Sequence, residues 1–170
     1  MSPIEEAARF LIRHDLRLAT AESCTAGLIA SRVAEVPGCG ASLRCAIVAY
    51  APDIKQSVLG VPAETIRRFG LTSEEVSLAM ARGALSVAAA NLAIANTGVA
   101  DDGGDDDTPA GTQCFAWVFR NAGRTVEFSE TVRFGGGRND VREQAALWAL
   151  SRVAHYHELA QRSFSVPAAT

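Results

Sequence analysis

Leu16-Arg17-Leu18-Ala19-Thr20-Ala21-Glu22-Ser23-Cys24-Thr25-Ala26-Gly27-Leu28-Ile29 is the stretch whose reading decides the fold. Leu16 to Ala21 is a short apolar run of strand length. An amphipathic helix is predicted to follow from about Thr25 to Glu35, with Leu28, Ile29, Val33 and Val36 on its buried face. A carboxylate, a hydroxyl, a thiol and a glycine therefore crowd one strand-to-helix turn. Such turns lie at the open edge of a parallel sheet, where backbone N–H groups and the helix dipole point at a bound anion or oxyanion. Chemistry is expected at this turn before anywhere else.

Working outward, the same alternation recurs. Ser2-Pro3-Ile4-Glu5 reads as a capping box that opens a helix, which His14-Asp15 ends. Leu43 to Tyr50 is apolar on both faces, as a central strand would be. Lys55 follows in a short helical piece, and a further helix runs from about Ala63 to Phe69. Thr72-Ser73-Glu74-Glu75 reads as a second capping box, before a stripe of small residues, and Leu92 to Thr97 is a third buried strand. Gln113 to Phe119 is apolar, Asn121-Ala122-Gly123 turns a hairpin, and the next strand alternates wet and dry positions. A last helix is expected over roughly Asp140 to Leu159. These elements predict an α/β fold: a single three-layer domain over residues 1–163, with a mostly parallel central sheet, helices on both faces and a C-terminal hairpin. A loose tail is expected over 164–170.

Composition narrows the functional classes. With 48% hydrophobic and 21% charged residues, the 170-residue chain matches an ordinary globular protein. Five aspartates fall between Asp101 and Asp107; without them the net charge of −3 becomes +2. The remainder carries no basic footprint, so no nucleic-acid partner is expected, and no apolar run is long enough to suggest a membrane partner. Cys24, Cys39, Cys45 and Cys114 form no C-x-x-C pair, which argues for a reducing compartment and against a zinc site. The acidic start does not resemble a signal peptide, and a cytoplasmic protein is expected. No cofactor and no metal is assigned. The aspartate run between Asp101 and Asp107 lacks the EF-hand spacing and reads as a solvated loop rather than a Mg²⁺ or Ca²⁺ site.

If the three strands joined by helices are parallel, their carboxyl ends share one edge. That edge would carry Glu22 and Ser23, then Tyr50 with Lys55 behind it, then Thr97 and Gly98. His14, His155 and His157 stand elsewhere, so a Ser-His-Asp triad is not expected. A desolvated lysine loses its proton near neutrality, and a Ser23–Lys55 pair with Tyr50 relaying the proton would support acyl transfer. N–H groups opening the second helix would hold the oxyanion. The plainer alternatives stand beside this one: Ser23 or Thr25 as a helix cap, Lys55 as a solvated cation. Cys24 is a rival nucleophile if the helix terminus lowers its pKa, and otherwise a small buried residue. Gly135-Gly136-Gly137-Arg138 before a helix is either a phosphate loop or a flexible connection.

From about Leu18 to Leu150 the chain resembles the C-terminal domain family of the competence/damage-inducible protein CinA, in its stand-alone form. The resemblance rests on TAESCTAG (Thr20 to Gly27), VAY (Val48 to Tyr50) with Lys55, LGVP (Leu59 to Pro62), Gly70 to Val76, Thr97-Gly98, Gly111-Thr112 and FGGGR (Phe134 to Arg138), in that order. It implies an amidohydrolase that converts nicotinamide mononucleotide to nicotinic acid mononucleotide and ammonia. It implies Ser23 as nucleophile, with Lys55 and Tyr50 as acid/base partners. It implies that Thr97, Gly98, Gly103, Gly104 and Arg138 hold the nucleotide, together with Glu22, Cys24, Thr25 and Gly27 of the turn. It further implies a homo-oligomer. A non-catalytic nucleotide-binding or regulatory protein is the alternative, because the loop after Thr97-Gly98 departs from the family pattern. Asp101 and Asp102 replace a Gly-Pro pair there and a lysine is missing, which sets carboxylates where a phosphate would bind.

Overall fold

The computed structural model describes residues 1–102 and 107–167. Chain order is α1 (Pro3–Arg13), β1 (Leu18–Glu22), α2 (Leu28–Ala34), a 3₁₀ turn (Cys39–Ala41), β2 (Leu43–Val48), α3 (Pro52–Leu59), α4 (Ala63–Phe69), α5 (Glu74–Val87), β3 (Leu92–Gly98), β4 (Thr112–Asn121), β5 (Arg124–Arg133), α6 (Arg138–Ser151) and α7 (Val153–Ser165). The five strands form one sheet in the order β2-β1-β3-β4-β5. β1 pairs in parallel with β2 and β3, whereas β3/β4 and β4/β5 are antiparallel. The sheet is therefore mixed rather than mostly parallel. The antiparallel half follows from the tight connection between β4 and β5, since only a crossover makes neighbours parallel. Ala122 and Gly123, both at positive φ (48° and 79°), form that turn between the paired residues Asn121 and Arg124.

Side-chain parity along the strands separates two cores. Leu18, Leu92, Ile94, Phe115, Trp117 and Phe119 face α1, α2, α6 and α7. On the other face, Ala19, Ala21, Ala93, Ala95, Ala116 and Val118 meet α5, with Leu59 of α3 joining them. An alanine face lets a helix lie close to the strands. Gly83 on α5 extends this: a Cβ there would stand 2.0 Å from the Leu59 carbonyl oxygen, so the α5 and α3 backbones touch.

Several sequence expectations are corrected. β2 is an edge strand, and its residues alternate between half-buried (Leu43, Cys45, Ile47) and exposed (Arg44, Ala46, Val48). Apolar but small, Ala46 and Val48 gave a two-faced pattern without a second layer to bury them. α2 starts at Leu28, not Thr25, because Ala26 and Gly27 take positive φ (46° and 94°). Ser73 rather than Thr72 caps α5, accepting from Val76 N–H, which puts a valine at N3 instead of Glu75, so no capping box forms; Glu74 accepts from the Ser129 and Thr131 hydroxyls. The last helix divides at Arg152, and α7 continues to Ser165 into the segment expected to be loose. No helix among the described residues is long and apolar enough to cross a membrane.

Candidate active site

The carboxyl ends of β1 and β3 carry their alternation one step past the apolar core. Glu22 lies two residues beyond Thr20, and Asn96 two beyond Ile94. Gln113 lies two before Phe115 on the antiparallel neighbour. All three share the α2-facing side and all three are buried. Each is satisfied internally. Glu22 Oε2 accepts from Thr25 Oγ1 (2.7 Å), Gly27 N (2.9 Å) and Ile29 N (3.1 Å), and Oε1 accepts from Ala30 N (3.0 Å). A carboxylate from the preceding strand thus caps α2 and sits on the positive end of its dipole. Asn96 Oδ1 accepts from Thr25 N–H (3.0 Å), and its Nδ2 donates to Gln113 Oε1 (2.9 Å). Gln113 Nε2 in turn reaches Cys24 Sγ (3.4 Å) and the Val99 carbonyl (3.2 Å). From α6, Arg142 donates to the Cys24 and Thr25 carbonyls at 3.0 and 3.3 Å. The turn is clamped from three sides.

This clamp holds Ser23 at the top of β1. Its N–H donates to the Asn96 carbonyl at 2.9 Å. Lys55 reaches over from α3, which packs on the opposite face. Its Nζ lies 2.9 Å from Ser23 Oγ, 2.7 Å from the Ala49 carbonyl oxygen and 2.8 Å from the Tyr50 carbonyl oxygen. Lys55 is 1% exposed, and burial pulls its pKa down from 10.5 to about 8. The geometry suits both protonation states. An ammonium donates to all three oxygens. A neutral amine keeps two N–H bonds to the carbonyls and turns its lone pair to the Ser23 hydroxyl, which then donates.

Ser23 and Lys55 open into a cavity of about 290 Å³, lined also by Cys24, Tyr50, Leu71, Thr72, Thr97, Gly98, Val99, Ala100, Asp101 and Arg138. Of the residues assigned to the site from sequence, it brings together Ser23, Cys24, Tyr50, Lys55, Thr97, Gly98 and Arg138. Tyr50 is 56% exposed, and its hydroxyl accepts from Arg138 Nη2 at 3.0 Å; what touches Lys55 is the Tyr50 carbonyl. Thr97 donates its hydroxyl to the Leu71 carbonyl at 3.0 Å. At Gly98 a Cβ would stand 2.5 Å from the Gln113 side chain. Glu22, Thr25 and Gly27 do not line the cavity, because they are spent on capping α2. Gly103 and Gly104, with Asp105 and Asp106 of the acidic run, lie outside the described residues.

One further expectation changes, and of the two readings of Cys24 the small buried residue is the one observed. The α2 N–H groups do not face the cavity, since Gly27, Ile29 and Ala30 serve Glu22 and Leu28 bonds the Thr25 carbonyl at 3.0 Å. Among the described residues, the backbone donor of this turn without an acceptor is Cys24 N–H. Burial pushes the Cys24 thiol pKa up, which leaves it a poor nucleophile beside Ser23. Sequence reading did not single out Asn96, Gln113 or Arg142. The period-two continuation of β3 and β4 was the available signal for the first two; Arg142 offered none.

The chain and its fold have counterparts among known proteins. The family model for the CinA C-terminal domain matches residues 2–157. A CinA-like protein of Mycobacterium tuberculosis is 44% identical over 135 residues, which is 79% of this chain and 31% of that protein. A CinA-like protein of Mycobacterium leprae is 41% identical over 161 residues, covering 89% of this chain and 36% of its own length. The chain thus spans about a third of the curated relatives it matches. Among solved structures, a competence-damaged protein (CinA) superfamily protein from Klebsiella pneumoniae superposes with a TM-score of 0.83 at 36% identity, covering 90% of this chain and 96% of that one. The competence/damage inducible protein CihA from Agrobacterium tumefaciens gives 0.82 at 36% identity, with 92% and 97% covered. With the family model spanning nearly the whole chain and the fold shared throughout, this protein belongs to the CinA C-terminal domain family.

Proposed function

We propose that the protein is an amidohydrolase that uses Ser23 and Lys55 to deamidate nicotinamide mononucleotide, giving nicotinic acid mononucleotide and ammonia. The observation that carries this reading is the buried Lys55 amine, 2.9 Å from Ser23 Oγ, with its pKa near 8 and two backbone carbonyls fixing its orientation. A lysine that served only as a solvated surface cation would not be buried against a hydroxyl with its pKa drawn down toward neutrality.

In this reading neutral Lys55 takes the Ser23 proton as Oγ attacks the carboxamide carbon. The resulting oxyanion is met by Cys24 N–H, the donor that the turn leaves over. The C–N bond then breaks while the Lys55 ammonium passes its proton to the leaving nitrogen, and ammonia departs. Lys55, neutral again, draws a proton from a water whose oxygen attacks the acyl-Ser23 ester; the C–Oγ bond then breaks as Lys55 returns that proton to Ser23 Oγ, and the acid leaves as carboxylate with its proton given to solvent. Tyr50 supplies its carbonyl to Lys55 and its ring to the cavity mouth. Thr97, Gly98 and Arg138 line the remaining wall, where the nucleotide body would lie.

Ammonia release from nicotinamide mononucleotide tests the proposal. Ser23→Ala and Lys55→Ala are expected to lower kcat by several orders of magnitude while the proteins stay folded. Turnover that survives in both variants refutes the mechanism. A second reading, a nucleotide-binding protein without catalysis, is favoured by the engagement of Arg138 with Asp101 (2.9 Å). It predicts ligand-induced thermal stabilisation with no ammonia.

A further inference from the structure

Ser23, Cys24 and Thr25 carry successive backbone N–H groups through the turn, and Asn96 takes the first and the third. Ser23 N–H donates to the Asn96 main-chain carbonyl at 2.9 Å, and Thr25 N–H donates to the side-chain Oδ1 at 3.0 Å. Cys24 N–H, between them, has no acceptor among the described residues, and Cys24 lines the pocket beside Ser23. Arg142 Nε donates to the Cys24 carbonyl at 3.0 Å. The peptide unit joining Cys24 to Thr25 is therefore held at its oxygen by Arg142 and at its N–H by Asn96. The unit before it is held by Ala26 N–H, which donates to the Ser23 carbonyl at 3.1 Å.

Asn96 is buried, and its amide fits only one way round. Thr25 N–H is a donor, so the oxygen must face it. Asn96 Nδ2 then donates to Gln113 Oε1 at 2.9 Å, which leaves Gln113 Nε2 for the Val99 carbonyl (3.2 Å) and Cys24 Sγ (3.4 Å). The relay begins at a backbone donor and ends at a backbone acceptor. Reversing either amide would set like against like. Two buried amides cost more desolvation than apolar chains of the same size, and they repay it only when each polar atom has a partner, as at this pair.

We propose that Asn96 is a positioning residue for acyl transfer at Ser23. It acts through Thr25 N–H, with Gln113 fixing its orientation, and does not itself touch the substrate. With the N–H groups of Ser23 and Thr25 both occupied, Cys24 N–H is the donor left to meet the charge that develops on the carbonyl oxygen, and Asn96 sets where that donor stands. The proposal rests on Ser23 acting as nucleophile, as in the amidase reading above, and not on the identity of the carboxamide.

Two measurements on the full chain test it. The first is amide hydrogen exchange followed by NMR. Cys24 N–H is expected to exchange at least about tenfold faster than the N–H groups of Ser23 and Thr25. Asn96→Ala should release Thr25 N–H to fast exchange and leave Ser23 N–H protected, because the acceptor of the latter is main chain. The second is acylation by p-nitrophenyl acetate. Ser23 Oγ bonds the acetyl carbon, Lys55 takes the Oγ proton, and p-nitrophenolate leaves. Asn96→Ala is expected to slow this step about a hundredfold. A residue that only stabilised the fold would lower the melting temperature without slowing acylation by the folded protein. Asn96→Asp is the conservative variant. Its protonated carboxyl keeps an oxygen for Thr25 N–H and an O–H for Gln113 Oε1, so acylation should recover at the acid end of the pH range relative to the unsubstituted protein. A Cys24 N–H as protected as its neighbours overturns the proposal. So does acylation of Asn96→Ala within about threefold of the unsubstituted protein, an Asn96→Asp protein no faster than Asn96→Ala at acid pH, or no acylation of Ser23 at all. Where Asn96→Ala does not fold, the exchange pattern of the unsubstituted chain decides. Ammonia release from nicotinamide mononucleotide is followed in parallel, and its absence beside intact acylation counts against the amidase reading alone.

Discussion

Lys55→Met replaces the buried amine with an apolar chain of similar length, and its effect on stability can be worked out from the site. In the native protein the amine holds its proton only below about pH 8, whereas in the unfolded chain it does so up to 10.5. Between those values the unfolded state binds one more proton than the native state, so stability rises with pH by about 1.4 kcal/mol per pH unit. Below pH 8 the native protein carries the whole penalty of a desolvated ammonium; above 10.5 it carries none. Across the window the change is about 3 kcal/mol. The methionine variant lacks this titration. It instead leaves the Ala49 and Tyr50 carbonyls and the Ser23 hydroxyl without their partner, at about 1 kcal/mol each. Near pH 7 the relief and the loss therefore nearly cancel, and by pH 10 the variant is the less stable protein by roughly 3 kcal/mol. Urea unfolding of both proteins in half-unit steps from pH 7.5 to 10.5 measures this, because other titrating groups are common to both and drop out of the difference. A difference that stays flat across that range would refute the claim that Lys55 is held below its ordinary pKa by burial, and the base role assigned to it would lose its footing.

Glu22→Gln is expected to destabilise the protein by about 2–3 kcal/mol, because the amide puts an NH₂ group against a backbone N–H of α2 and removes the charge from the other donors. A urea midpoint unchanged from wild type would contradict that role. Gly83→Ala should cost about 2 kcal/mol or more despite the better helix propensity of alanine, since the α5 and α3 backbones must part to admit the methyl. The same displacement moves Lys55, so kcat for ammonia release should fall as well; a variant with wild-type melting temperature and kcat would show that the contact is not tight.

Much of this was readable from the chain because local rules and the global fold agreed. The Ser2 and Glu5 capping box, the Asn121-Ala122-Gly123 turn and the bounds of α4 all follow from residue chemistry within a few positions. The pairing of Ser23 with Lys55 was legible because parallel strands must end on a common edge. What failed depended on distant partners. β2 is at the edge because, among the described residues, no strand pairs on its outer side, which an apolar run does not encode. The start of α2 was misplaced because its cap is a glutamate on the preceding strand rather than a Ser or Thr at the N-cap. The Tyr50 phenol leaves the Ser–Lys pair for Arg138, a partner 88 positions away. Arg142 contributes through two carbonyls 117 and 118 positions distant, a contact that no local pattern announces.

The alanine wall under α5 has a further consequence for how this protein can change over generations. Where the strand face is built mostly from methyl groups and the helices meet backbone to backbone at Gly83, those positions have little side-chain volume left to trim. Drift at the alanines and at Gly83 adds bulk, and added bulk there pushes whole helices instead of opening voids. The distance from amine to hydroxyl is thus gauged by rigid main chain, much as a machinist's block sets a gap, and mutations that spoil it would do so by prying the layers apart.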